Sequence, residues 1–168
     1  MQAGCVYTVQ LRPDVTDLMG LCRRRFARDG YCAVPGVLAV PDAATLARHH
    51  EMLRLSGRMY AGAVRGRRRW VLHDEQVARL IQRAIAPTLA GIADADVEPS
   101  DTYTAIYEAG AESPAEGDPA RREFSVILWV ESGDALFCRA NALARAAAHP
   151  PPGSRTAVVL SYVRAEAA

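Results

Sequence analysis

TYTAIYEAGAESPAEGDPARREFSVILWV, residues 102–130, holds two extended runs around a turn-rich insert. Residues 102–108 alternate and place Tyr103, Ala105 and Tyr107 on one face. In the second run, Glu123 to Val130, Phe124, Val126, Leu128 and Val130 share a face, with Ile127 and Trp129 opposite. A strand that is apolar on both faces belongs inside a sheet. The insert carries Glu116 and Asp118, one residue apart. On extended backbone, side chains at i and i+2 point to the same side, so these two acids can share a ligand.

Downstream, Ala135–Arg139 and Thr156–Val163 read as further strands, separated by a His149-Pro150-Pro151-Pro152-Gly153 linker that suits neither helix nor central strand. Upstream, the period becomes helical. From Asp14, the residues Leu18, Leu21, Cys22 and Phe26 fall on one face, with Asp14 or Thr16 as cap and Gly30 just past the end. Asp42 to about Gly57 predicts a second helix with Ala43, Leu46, His50 and Leu53 inward. A third is capped by Asp74 and carries Val77, Leu80, Ile81 and Ile85; Pro87 either stops it or starts another short turn of helix. Residues 6–11 suggest a short edge strand, Tyr31–Val40 short extended pieces, and Trp70–Leu72 another strand. The expected organisation is a single α+β domain over 1–168, helix-rich in 1–100 and β-rich in 101–168.

Composition narrows the function classes. All 20 basic residues are arginine, so no Schiff-base, Walker or general-base lysine can exist. The clusters Arg23–Arg25 and Arg65–Arg69 sit in a chain of net charge +1, which argues against a dedicated nucleic-acid binder and for a solvated face or a polar substrate contact. No apolar run is long enough for a membrane span and no signal pattern is present, so a cytoplasmic protein is expected. The 4 cysteines are scattered, without a CxxC pair, and read as reduced thiols.

Three phrases carry a family resemblance. FARDGYCAVPGVL (26–38), the 102–130 stretch, and GDALFCRA (133–140) followed by PPGSRTAVVLSYV (151–163) resemble the Fe(II)/2-oxoglutarate-dependent oxygenases of phytanoyl-CoA-hydroxylase-like and prolyl-hydroxylase-like type. The resemblance implies a double-stranded β-helix (a jelly-roll, cupin-like) with helices packed on one side, shortened here by about two strands between Trp129 and Ala135. In that family a His-x-Asp pair and a second histidine hold iron, and an arginine on the last strand binds 2-oxoglutarate. Asp118 stands at the aspartate position and Arg155 matches the arginine, but Glu116 stands where the first histidine should be. Counting back from Arg155 by the family's usual spacing lands on Arg145, and the nearby His149 is misplaced.

A non-haem Fe(II) site of this type uses two imidazoles and one carboxylate. Glu116 brings harder, charged ligation, and a permanently cationic Arg145 opposes a metal. The resemblance therefore implies a degenerate member that expects neither iron nor another cofactor. Its leading reading is a metal-independent enzyme acting on a small molecule, with Glu116 and Asp118 as acid and base, Arg155 and Arg145 as an anion clamp, and Tyr103 and Tyr107 lining the pocket. One alternative is a non-catalytic pseudo-enzyme subunit. Another is a true dioxygenase binding Fe(II) and 2-oxoglutarate through a rearranged Glu116, Asp118 and His149 set. Missing strands imply an open sheet edge near residues 124–139, and hence a homodimer or a heteromeric partner. A membrane or nucleic-acid partner is not expected. Arg155, entering a strand that is apolar on both faces, is expected to direct its guanidinium into a buried pocket.

Overall fold

The computed structural model describes residues 16–64, 67–108, 122–148 and 150–165. Glu116, Asp118, His149 and the expected strand at 6–11 lie outside them. In chain order the elements are α1 (Thr16–Asp29), β1 (Tyr31–Val34), α2 (Val40–Leu55), β2 (Tyr60–Val64), β3 (Arg67–His73), α3 (Gln76–Ala93), β4 (Val97–Tyr107), β5 (Phe124–Trp129), β6 (Asp134–Arg139), α4 (Leu143–Ala146) and β7 (Thr156–Arg164).

The seven strands form one antiparallel sheet in the order β1-β6-β5-β7-β4-β3-β2. Its two faces follow the alternation of the sequence. Phe124, Val126, Leu128, Phe137, Val158, Leu160 and Tyr162 face α1, α2 and α3 in the main core. Tyr103, Ala105, Tyr107, Ile127, Trp129, Cys138, Ala157 and Val159 form the other face, partly covered by Leu143 and Ala147 at α4. The architecture is α+β and jelly-roll-like. The turn at Val130–Gly133 joins β5 directly to β6, with no strand between them. That turn is tight: Gly133 has φ +72°, and a Cβ there would stand 2.7 Å from the Leu38 carbonyl oxygen.

Several expectations are corrected. The predicted open edge at 124–139 is absent, since β5 lies between β6 and β7 and β6 pairs with β1. Residues 31–34 supply the partner, and among the described residues β1 and β2 are the outermost strands. Pro87 does not stop α3, which continues to Ala93. It lies on the same exposed face as Arg83, where solvent can take the place of the missing backbone donor. Glu75 caps α3, accepting from the Ala78 N–H at 2.9 Å. Asp74 has φ +52° and instead pairs with Arg79 at 2.6 Å. Among the described side chains of α1, Cys22 and Phe26 are buried, while Leu18 and Leu21 stay 38% and 41% exposed. No helix among the described residues is long and apolar enough to cross a membrane.

Candidate functional site

The sheet face away from the long helices carries the residues singled out from sequence. Tyr103 and Tyr107 are buried on it, as their shared strand face requires. Tyr107 ends β4 beside the start of β7: its N–H donates to the Arg155 carbonyl at 2.9 Å, and its carbonyl accepts from Arg155 Nε at 3.4 Å. Arg155 is nevertheless exposed, which corrects the expectation of a buried guanidinium. Sheet pairing begins at Thr156, so the preceding residue stands on the rim. Glu131 Oε2 accepts from the Arg155 and Thr156 N–H groups at 3.1 and 3.0 Å. The Arg54 hydrogen bond holds the Glu51 carboxyl below its ordinary range, and Arg155 adds a smaller pull from across the rim.

Arg145 takes a different place. It donates to the Asp29 carbonyl at 2.9 Å and lies 5.8 Å from the Tyr31 ring centroid, at the turn from α1 into β1. A cavity of about 160 Å3 opens between Trp129, Asp134, Leu136, Ala147 and Pro151, at the end of the sheet where Arg155 stands. It is small for a ligand pocket.

Glu116 and Asp118 belong to the segment between Glu108 and Arg122. Those flanking residues lie at opposite ends of the sheet, because β4 and β5 run parallel on either side of β7. Arg122 is buried, which sequence reading missed. Its position just before an apolar strand was the available signal, since a buried guanidinium needs anionic company. Its charge reaches Cys138, whose thiol burial nonetheless pushes up to about 12. Burial and a contact with Cys22 push Cys32 to about 12 as well. A thiolate is the nucleophile, and burial disfavours it at both cysteines. Iodoacetamide at pH 8 should leave Cys32 and Cys138 unmodified in the folded protein and label both after denaturation. Peptide mass spectrometry reads this directly, and labelling of the native protein would refute it.

A second grouping was not anticipated. His49 and His50 on α2 and Glu75 at the start of α3 bring ligand-type atoms within 4.8 Å of one another. His49 Nε2 lies 3.2 Å from Glu75 Oε1. His50 is fully buried, and burial, reinforced by His49, lowers its pKa to about 4 and keeps the ring neutral. The helical period places His50 inward, but nothing local in the sequence shows that Glu75 will meet it.

Among the described residues, a set of two imidazoles and one carboxylate occurs at His49, His50 and Glu75, on the helix side of the sheet. Strands β4 to β7 contain no histidine. The face away from the long helices offers phenols, a thiol and apolar side chains. No protein-family model matches the sequence, and no curated protein matches it.

Solved structures do match the fold. A Pseudomonas putida prolyl-4-hydroxylase aligns at TM-score 0.58 and 11% identity, over 89% of this chain and all 100% of its own. The epimerase SnoN from nogalamycin biosynthesis, in complex with Fe3+, alpha ketoglutarate and nogalamycin RO, aligns at TM-score 0.64 and 14% identity, over 87% of this chain and 83% of its own. CT296 from Chlamydia trachomatis aligns at TM-score 0.52 and 15% identity, over 84% and 91%. The chain has the jelly-roll fold of the Fe(II)/2-oxoglutarate oxygenases. At these identities the likeness is one of fold.

Proposed function

We propose that this chain is an oxygenase-fold enzyme that works on a small anionic molecule without the family's iron, at the Arg155 end of the sheet. In this reading Glu116 and Asp118 exchange the proton and Arg155 neutralises the ligand's charge. Tyr103 and Tyr107 bound the apolar side of the site. The observation that supports it most is Arg155 itself, an exposed guanidinium held by its Nε on the Tyr107 carbonyl at the rim. A fork fixed through Nε leaves its terminal nitrogens able to take a carboxylate. Arg145 is engaged at the α1–β1 turn, so the clamp rests on Arg155.

The test is calorimetric titration with 2-oxoglutarate and a series of small carboxylates. Arg155→Ala should weaken binding by about 10- to 100-fold, the worth of a charge-assisted hydrogen bond. Its melting temperature should hardly move, because exposed positions usually change stability by only about 0.5 kcal/mol. Arg67→Ala, at the exposed start of β3, should leave binding unchanged. Stoichiometric Fe(II) bound through Asp118 with 2-oxoglutarate turnover would overturn the reading.

A further inference from the structure

The geometry points to a divalent transition-metal site of the zinc class, formed by His49, His50 and Glu75 between α2 and the first turn of α3. It lies with the helices packed against the main core, on the other side of the sheet from the site proposed above, and does not depend on that reading. Three observations carry it.

The first is convergence. Atoms of all three side chains fall within 4.8 Å, and the His49 Nε2 to Glu75 Oε1 separation is already 3.2 Å. Two ligands on a tetrahedral zinc, with bonds of about 2.0–2.1 Å, stand roughly 3.3 Å apart. Successive helical residues diverge, yet these two rings lie 5.4 Å apart at 57°, both beside Glu75. Closing these separations to about 3.3 Å calls for a side-chain rotation at His49, which is 23% exposed.

The second is an unsatisfied buried ring. His50 is fully buried, and neither Nδ1 nor Nε2 has a hydrogen-bond partner among the described residues. Buried polar groups are nearly always paired, and a metal on one nitrogen supplies the missing partner.

The third is the way Glu75 is held. Its Oε2 accepts the Ala78 N–H at 2.9 Å, which fixes the carboxylate while Oε1 faces the imidazoles. Ligating carboxylates are commonly oriented by such a hydrogen bond. Two imidazoles and one carboxylate suit a first-row transition ion, zinc or Fe(II), over magnesium or calcium. A three-ligand set leaves a fourth position, and the partial exposure of His49 gives water access to it. The ion would join the middle of α2 to the start of α3.

The test uses the full chain, stripped with a chelator and titrated with Zn(II) alone, then with Co(II) as a spectroscopic probe. One ion per chain should bind at micromolar concentration or tighter, and Co(II) should give the visible absorption of a four-coordinate site. Zn(II) at 100 times its dissociation constant should raise the melting temperature by roughly 5–10 °C. His49→Ala and Glu75→Gln should each weaken Zn(II) at least 100-fold. The amide of Glu75→Gln keeps an acceptor for the Ala78 N–H, so the helix cap survives. Asp118→Asn should leave zinc affinity unchanged. Should a variant fail to fold, zinc X-ray absorption of the unaltered protein decides, with two imidazoles expected around the ion. Affinity weaker than micromolar, less than 100-fold weakening in either His49→Ala or Glu75→Gln, dependence on Asp118, or a spectrum without imidazole would each overturn the site.

Discussion

Phe26→Ala is expected to destabilise the protein by about 3–5 kcal/mol, the usual cost of removing a buried phenyl ring. In a chain of this size that lowers the melting temperature by roughly 6–20 °C. Phe26 is 1% exposed and sits one turn before the end of α1, where its carbonyl accepts the Gly30 N–H at 2.9 Å. Its ring packs on Phe124 of β5, with centroids 6.3 Å apart, and the Arg139 guanidinium lies 5.5 Å from its centroid. It therefore fastens α1 to a central strand, and the surrounding sheet is too constrained to close the cavity. Leu21→Ala on the same helix is the control. That residue is 41% exposed, and its loss should cost less than about 1 kcal/mol. Urea unfolding of both variants checks the difference, and equal midpoints would refute this account of the core.

Gln82→Leu should cost about 2–5 kcal/mol, although it replaces a buried polar side chain with an apolar one of similar size. Gln82 is fully buried on α3. Its Nε2 donates to the Ser161 carbonyl at 2.6 Å and to the Asp101 carbonyl at 3.2 Å, linking the helix to β7 and to β4. Leucine fills the space but leaves both carbonyls without that donor, at about 1–3 kcal/mol each. The Tyr162 hydroxyl donates to the Gln82 backbone carbonyl at 2.8 Å and is untouched by the substitution. Gln82→Leu as stable as the parent in urea would show that these carbonyls find other donors.

Much of this architecture is legible in the sequence, for a local reason. Side-chain direction along a strand is set by the backbone period, so the alternation in Phe124–Val130 and Thr156–Val163 already sorts residues onto the two faces the structure displays. The buried positions Ala43, Leu46 and His50 on α2, and Val77, Ile81 and Ile85 on α3, follow from the helical period in the same way. Strand β2, Tyr60–Val64, was missed because YAGAV has little hydrophobic signal and is mostly exposed. Its place depends on pairing with β3.

What only the tertiary structure decided are the meetings between distant segments. Tyr31–Val34 gives no local sign that it will cover β6, yet that pairing removes the open edge expected from the shortened jelly-roll. Arg155 reads as the entrance to a buried strand, but sheet pairing starts one residue later and leaves it on the rim. Glu75 becomes a neighbour of His49 and His50 only once α2 and α3 pack on the same core. Periodicity reports which way a side chain points from its own backbone. Which segment it then meets is settled by the burial and hydrogen bonding of the whole sheet, a balance no local stretch contains.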